Sequence, residues 1–403
     1  MLLARLLNTI VRTGRLTLVD AAGRVQNFGA NNGPRVTMRL HDRATAWRIA
    51  LKPKLAFGES YMDGKLTVED GSIYDLLDLL AVNIARYETM PLARALSRVG
   101  MWTRHRQQSN GLRRARRNVA HHYDLSGRLY DLFLDKDRQY SCAYFTNNNK
   151  TLDEAQHDKK RHLASKLLLK PGARILDIGS GWGGLGLYLA RVGQADVTGI
   201  TLSSEQHKVS NDRAKAEGLG ERARFHLRDY RDEQGRYDRV VSVGMFEHVG
   251  ARHYRAFFRK LKGLLADDGV AVLHSIGRMS PPGTTNPWLR KYIFPGGYTP
   301  ALSETVAAIE QEGLWITDIE ILRLHYADTL KEWRRRFQEN RAEVARLYDE
   351  RFCRMWEFYL AGCEVAFRRL DQMVFQIQLA KRQDALPLTR DYMLDWERAH
   401  MGA

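Results

Sequence analysis

Residues 175–190, Ile-Leu-Asp-Ile-Gly-Ser-Gly-Trp-Gly-Gly-Leu-Gly-Leu-Tyr-Leu-Ala, constrain the fold more than any other stretch of the chain. An apolar run ends in Asp177 and a glycine cluster, Gly179, Gly181, Gly183 and Gly184, then passes into a helical pattern. A buried parallel strand turns into a helix in this way around a nucleotide-like ligand, because the backbone must bend sharply and approach the ligand without Cβ atoms in between. The G-x-G-x-x-G spacing alone does not say which ligand. The next strand narrows it. A dinucleotide site places an acidic side chain about 20 residues on, at the end of the second strand. Here that strand, Asp196-Val-Thr-Gly-Ile-Thr-Leu-Ser-Ser-Glu-Gln, ends in Thr201, Ser203 and Gln206. Asp196 precedes the apolar run and Glu205 falls in the next helix, so NAD is disfavoured. Asp177, just ahead of the glycines, suits a ligand whose amino-acid end carries an ammonium.

Short apolar runs alternate with helical periodicity from residue 119 onward. Strands are expected at 174–178, 196–201, 223–227, 237–243 and 269–274, with a later one over 316–324. That alternation predicts a parallel sheet covered on both faces, with ligands gathered at the carboxyl ends of its strands. Those ends carry the glycines, Thr201, then Asp229 and Tyr230, then Glu247 after Gly244-Met-Phe, then His274-Ser-Ile276, and finally His325-Tyr326. A carboxylate, an imidazole and a phenol thus converge on the edge that holds the glycine loop, the pattern of an active site. Taken singly each has a plainer reading: a helix N-terminal acid, a core histidine, a packed tyrosine.

The chain divides into three parts. Residues 1–97 read as a small α+β domain, with Leu2, Leu3, Leu6, Leu7, Ile10 and Val11 on one helical face, a strand at 35–40 and a helix from Ser72 to Ile84. The first helix can lie on a membrane or pack on its own domain. Residues 98–117 read as a basic linker: Arg104, Arg106, Arg113, Arg114, Arg116 and Arg117 stand there without an Asp or Glu. Residues 118–403 form the larger domain. The formal net charge of +16 predicts attraction to nucleic acid or to an anionic membrane. The linker shows neither interleaved aromatics nor an RNA-binding signature. Three cysteines, Cys142, Cys353 and Cys363, have no metal-site spacing and fit a reducing compartment. No apolar run reaches the roughly 18 residues of a membrane span, and the first residues lack a signal-peptide pattern, so a cytoplasmic location is expected.

Several motifs together carry a family resemblance. Gln139-Tyr-Ser-Cys-Ala-Tyr-Phe145, Asp177–Gly184, Gly199-Ile-Thr-Leu-Ser203, Phe246-Glu-His-Val-Gly250 and Tyr292-Ile-Phe-Pro-Gly-Gly297 resemble cyclopropane-fatty-acyl-phospholipid synthases and the related mycolic acid methyltransferases. His122-Tyr-Asp-Leu-Ser126 resembles the helix preceding that family's donor site, and the likeness spans about residues 118–395. Ser180 stands where the family usually has cysteine, a small-for-small change. The resemblance implies a Rossmann-like α/β methyltransferase with a mostly parallel, doubly wound sheet, a helical lipid-binding cover and the small N-terminal α+β domain, which would serve lipid binding or dimerisation.

The resemblance further implies S-adenosylmethionine as methyl donor, in contact with Tyr140, Ser141, Gly179, Gly181, Thr201, Leu202, Gln206, Asp229, Tyr230 and Val243. It implies a bicarbonate ion held by Cys142, Glu247, His274, the Ile276 backbone and Tyr326, and no metal. The implied reaction adds a methylene to the cis double bond of an unsaturated phospholipid acyl chain, through a carbocation that bicarbonate deprotonates. A relative giving a methyl-branched or methylene product would share the same residues. The implied partners are a bilayer with anionic head groups, unsaturated acyl chains and a second copy in a homodimer, with no nucleic acid, and the implied place is the inner face of the cytoplasmic membrane. Cys142 is expected to shape the ion pocket rather than act as nucleophile. Phe246, Tyr144 and Tyr326 are candidates to stabilise cationic charge. The region 328–380 is expected to cover the acyl slot, with Thr329 and Glu332 at capping-box spacing, apolar stripes through Leu330, Trp333 and Phe337 and through Phe352, Tyr359 and Phe367, and Arg334–Arg336 beside them.

Overall fold

A computed structural model describes residues 2–84 and 127–402, which divide into two compact units. The basic linker and the His122–Ser126 motif lie outside the described residues. One unit comprises the described part of Met1–Arg104 together with Thr284–Pro295 and Leu330–Gln372; the other comprises the described part of His105–Gly283 with Gly296–Thr329 and Met373–Ala403.

In the first unit, β1 (Arg15–Val19), β2 (Val25–Gly29), β3 (Arg35–Leu40) and β4 (Leu66–Asp70) form a sheet in the order β2-β1-β3-β4. β3 alternates as its sequence does, sending Val36, Met38 and Leu40 inward. The N-terminal helix Leu2–Ile10 buries Leu3 and Leu7 in the same core. Ser72 caps the helix Ile73–Val82 in a reciprocal capping box with Asp75. The helix Glu350–Arg369 belongs to this core as well. Ala361 is fully buried there, Glu357 accepts from the Tyr61 hydroxyl at 3.0 Å, and Arg369 pairs with Asp78 at 2.7 Å. Much of the aromatic stripe of 330–370 is therefore ordinary core. Arg334 pairs with Glu364 and Arg335 with Glu332 and Glu339, which neutralises charge that the sequence offered to a membrane.

The second unit is built on a seven-stranded sheet: β5 (Arg174–Ile178), β6 (Asp196–Thr201), β7 (Ala223–Leu227), β8 (Tyr237–Val243), β9 (Leu265–Arg278), β10 (Trp315–Ile321) and β11 (Gln372–Ala380). Their order is β10-β11-β9-β8-β5-β6-β7, with β5 to β9 paired in parallel and β10 antiparallel to β11. Both faces are covered, as the unbroken apolar strands require. Ile175, Val197, Val241 and Val272 pack one way, under the helices Leu152–Lys166 and Gly184–Val192. Leu176, Ile178, Val240 and Leu273 pack the other way, against Phe257, Phe258 and Leu261 of Tyr254–Leu264.

Three local expectations change. β9 is longer than its apolar run, since it extends through Leu265–Asp268 beside Tyr237 after a register shift. β11 had no strand signal, because Gln372, Gln376 and Gln378 interrupt its apolar residues. Thr329 does not cap a helix: the helix runs His325–Glu339, and the Thr329 hydroxyl donates back to the His325 carbonyl at 2.7 Å.

Candidate active site

The glycine loop sits where β5 ends. Gly179 has φ +85° and Gly183 has φ +85°, a backbone region that side chains with a Cβ avoid. At Gly183 a Cβ would also stand 2.8 Å from the Ser210 Cβ. The loop is tied to β6 by the Gly179 and Ser180 amides, which donate to the Ile200 carbonyl at 2.9 and 3.0 Å. Gly183 opens the helix Gly184–Val192.

This loop lines a cavity that is partly open to solvent. All ten residues expected to contact a methyl donor line it. Gly179 and Gly181 come from the loop, Thr201, Leu202 and Gln206 from the end of β6, Asp229 and Tyr230 from beyond β7, Val243 from the end of β8, and Tyr140 and Ser141 from the segment before Leu152. Thr201 donates to Gln206 Oε1 at 2.8 Å, and Ser203 caps the helix Ser204–Ala216, so the second strand ends in a hydroxyl and an amide rather than an acid. The Asp229 carboxylate is held by Arg231 through two bonds of 2.8 and 2.7 Å. Asp177 also lines the cavity; it is buried, its Oδ2 has no hydrogen-bond partner, and burial pushes its carboxyl up to about 7 against the pull of Lys159. A buried, unpartnered carboxylate next to a glycine cradle fits a ligand bearing an ammonium.

Tyr140 and Ser141 are placed by the helix Leu152–Lys166. Gln156 Nε2 donates to the carbonyls of Gln139 and Ser141 at 3.2 and 2.9 Å. Lys159 Nζ donates to Gln139 Oε1 at 2.6 Å and to Ser141 Oγ at 2.8 Å. Asp135 accepts the amides of Asp137 and Gln139, which turns the chain before this contact.

The five residues expected at an ion site fall into two connected sets. In one, the Ile276 amide donates to Glu247 Oε1 at 2.6 Å, while Oε2 is buried without a partner. Burial pushes the Glu247 carboxyl up to about 7. His274, two residues before Ile276, pairs with Val243 across β8 and β9 and meets the Gln376 amide through Nδ1 at 3.1 Å. Burial, and then the charge of Lys159, hold this imidazole well below its usual range, so it is neutral. In the other set the Ala143 amide donates to Thr329 Oγ1 at 3.0 Å, which joins Cys142 to the helix turn that carries the buried Tyr326. The Cys142 thiol donates to the Ala143 carbonyl at 3.2 Å, and burial raises its pKa, so it is a neutral thiol rather than a nucleophile.

Two aromatic expectations are corrected. Phe246 is a core ring, stacked on Tyr254 at 4.3 Å. Tyr144 stacks on His162 and on His325, at 4.1 and 4.7 Å. His248, inside the Phe246–Gly250 motif, lines the cavity with its imidazole pushed down to about 4 by burial. Lys159 had no sequence signal, since it lies in Asp-Lys-Lys-Arg-His, which reads as a solvated charge run.

Comparison with known proteins agrees with this geometry. Residues 110–377 match the mycolic acid cyclopropane synthetase family, and residues 7–86 match a domain of unknown function, DUF7884. The chain is 37% identical over 393 residues to a probable fatty acid methyltransferase of Pseudomonas putida, covering 94% of this chain and 95% of that one. It is 40% identical over 260 residues to the cyclopropane-fatty-acyl-phospholipid synthase of Escherichia coli K12, covering 64% and 66%. The structure of mycolic acid cyclopropane synthase CmaA1 complexed with SAH and CTAB superposes with a TM-score of 0.62 at 33% identity, covering 66% of this chain and 97% of that one. The chain belongs to the mycolic acid cyclopropane synthetase family and is an S-adenosylmethionine-dependent lipid methyltransferase.

Proposed function

We propose that the protein is a cyclopropane-fatty-acyl-phospholipid synthase, which adds a methylene from S-adenosylmethionine to the cis double bond of an unsaturated phospholipid acyl chain. The observation that carries this reading is Glu247, a buried carboxylate with one oxygen anchored on the Ile276 amide and the other unpartnered, titrating near neutrality. Ring closure needs a base of that kind, because a proton must leave the newly added methyl group.

Gly179, Gly181, Thr201, Leu202, Gln206, Asp229, Tyr230, Val243, Tyr140 and Ser141 would hold the donor, with Asp177 facing its ammonium. Bound there, S-adenosylmethionine supplies an electrophilic sulfonium methyl. An alkene is a weak nucleophile, so alignment of the double bond against that methyl is the largest contribution the protein makes. Methyl transfer leaves the acyl chain cationic; loss of a proton from the new methyl then frees the C–H electron pair to close the ring. Cys142, Glu247, His274, the Ile276 backbone and Tyr326 would hold a bicarbonate ion, which supplies a base. Glu247 takes up the proton finally released, and neutral Cys142 and His274 add no competing charge. Tyr326 would face its ring toward the cation.

The formal charge of +16 supports action at the cytoplasmic face of an anionic membrane, and among the described residues no helix is long and apolar enough to cross one. A homodimer belongs to the same proposal. The second reading, a methyl-branched or methylene product, is favoured by the nearly full-length likeness to the Pseudomonas putida protein. Fatty-acid mass spectrometry after expression in cells that lack cyclopropane lipids decides between them. A ring adds CH2 and removes the double bond without hydrogenation; a methyl-branched saturated chain carries two more hydrogens. A methylene-branched chain has the mass of the ring product, and proton NMR separates those two.

A further inference from the structure

Lys159 is buried, 1% exposed, and its ammonium donates to two neutral side chains, Gln139 Oε1 and Ser141 Oγ. A lysine ammonium has three donors and no acceptor, so both oxygens must accept from it. For Gln139 this settles which way the amide points: Nε2 turns to Asp137 Oδ2 at 3.0 Å, the arrangement the structure shows. For Ser141 the consequence lies on the ligand side. With its oxygen accepting from Lys159, the hydroxyl hydrogen is left free to point away from the ammonium, and Ser141 lines the donor cavity.

We infer that Lys159 is a positioning residue for the methyl donor: it commits the Ser141 hydroxyl to donate into the cavity, toward the acceptor-only carboxylate of the donor's amino-acid end. The inference rests on the proposed use of this cavity for S-adenosylmethionine. Asp177 and Ser141 then divide the two charges of that end, the carboxylate of Asp177 receiving the ammonium and the hydroxyl of Ser141 the carboxylate. The adenosine end is left to Asp229, Tyr230 and the β6 terminus. Burial makes the arrangement effective, because a charge-assisted hydrogen bond shielded from water is stronger than a neutral one. Gln156 clamps the carbonyls of Gln139 and Ser141 independently, so the segment keeps its path when only the ammonium is removed.

The test compares two ligands by calorimetry on the full chain: S-adenosylhomocysteine, which carries the amino-acid end, and 5′-methylthioadenosine, which lacks it. Lys159→Met should weaken S-adenosylhomocysteine about tenfold and leave 5′-methylthioadenosine within about twofold. Ser141→Ala should show the same selective loss, and the double variant should lose no more than either single one. Equal weakening of both ligands by Lys159→Met, or additive losses in the double variant, overturns the inference. Unchanged binding of both ligands overturns it too. If Lys159→Met does not fold, Ser141→Ala decides alone through the ratio of the two affinities. A wild-type protein that binds neither ligand overturns instead the reading of the cavity as a methyl-donor site.

Discussion

The Ile276 amide holds one oxygen of Glu247 at 2.6 Å and leaves the other buried without a partner. The acid is thereby oriented by the backbone of β9 but not neutralised by a cation, which is why burial dominates its titration and raises it to about 7.

Turnover should follow that titration. A base must be deprotonated to act, so kcat/KM rises with pH and levels off above about 7. Glu247→Gln should abolish this rising limb and lower kcat by about 100-fold or more, with S-adenosylhomocysteine affinity unchanged. A pH–rate profile of both proteins checks it; a variant with near wild-type rates removes Glu247 from the mechanism.

Asp177 should show a trade of stability against binding. Its folded-state pKa, about 7, lies above the ordinary value of 3.8, so the folded protein holds this proton more tightly than the unfolded chain. The stability linked to it is full below about pH 4 and is lost as pH rises toward 7. Asp177→Asn escapes that loss. At pH 8 it should be more stable than wild type, on the order of 2 kcal/mol, while binding S-adenosylhomocysteine at least tenfold more weakly. Denaturant melts at pH 5 and pH 8 separate the effects, because the gain should shrink at the lower pH.

Gly183→Ala should damage fold and site together. The substitution asks a Cβ to adopt φ +85° and to stand 2.8 Å from the Ser210 Cβ, at the residue that opens the helix Gly184–Val192. The expected loss is about 1–3 kcal/mol of stability, with a clear loss of S-adenosylhomocysteine affinity. Thermal melting with and without that ligand measures both, and an unshifted melt would refute the account of the loop.

Removal of residues 2–84 should leave an aggregation-prone remainder. The helix Glu350–Arg369 would lose Tyr61 from Glu357, Asp78 from Arg369 and the apolar core around Ala361. Uncovered apolar surface of this kind drives association. Gel filtration of the truncated chain checks it; a monodisperse, cooperatively melting fragment would count against the shared core.

The donor cavity was legible in the sequence because its residues stand at the ends of short apolar runs, and a parallel sheet brings all such ends to one edge. Gly179, Thr201 and Asp229 are placed by that rule from the sequence alone. Tyr140, Ser141 and Cys142 came from motif likeness, since nothing in their spacing says that they meet that edge.

Periodicity determined the strands β5 to β8 and the turn at Gly179–Gly184, because local apolar order and backbone freedom are properties of neighbouring residues. Tertiary packing alone decided that Lys159 faces inward beneath Ser141, that Gln376 meets His274, and that the helix Glu350–Arg369 shares a core with Leu16 and Leu40. A polar side chain carries no sign of its own burial. Whether it is solvated or enclosed depends on partners distant in sequence, which satisfy its hydrogen bonds only after the chain has folded.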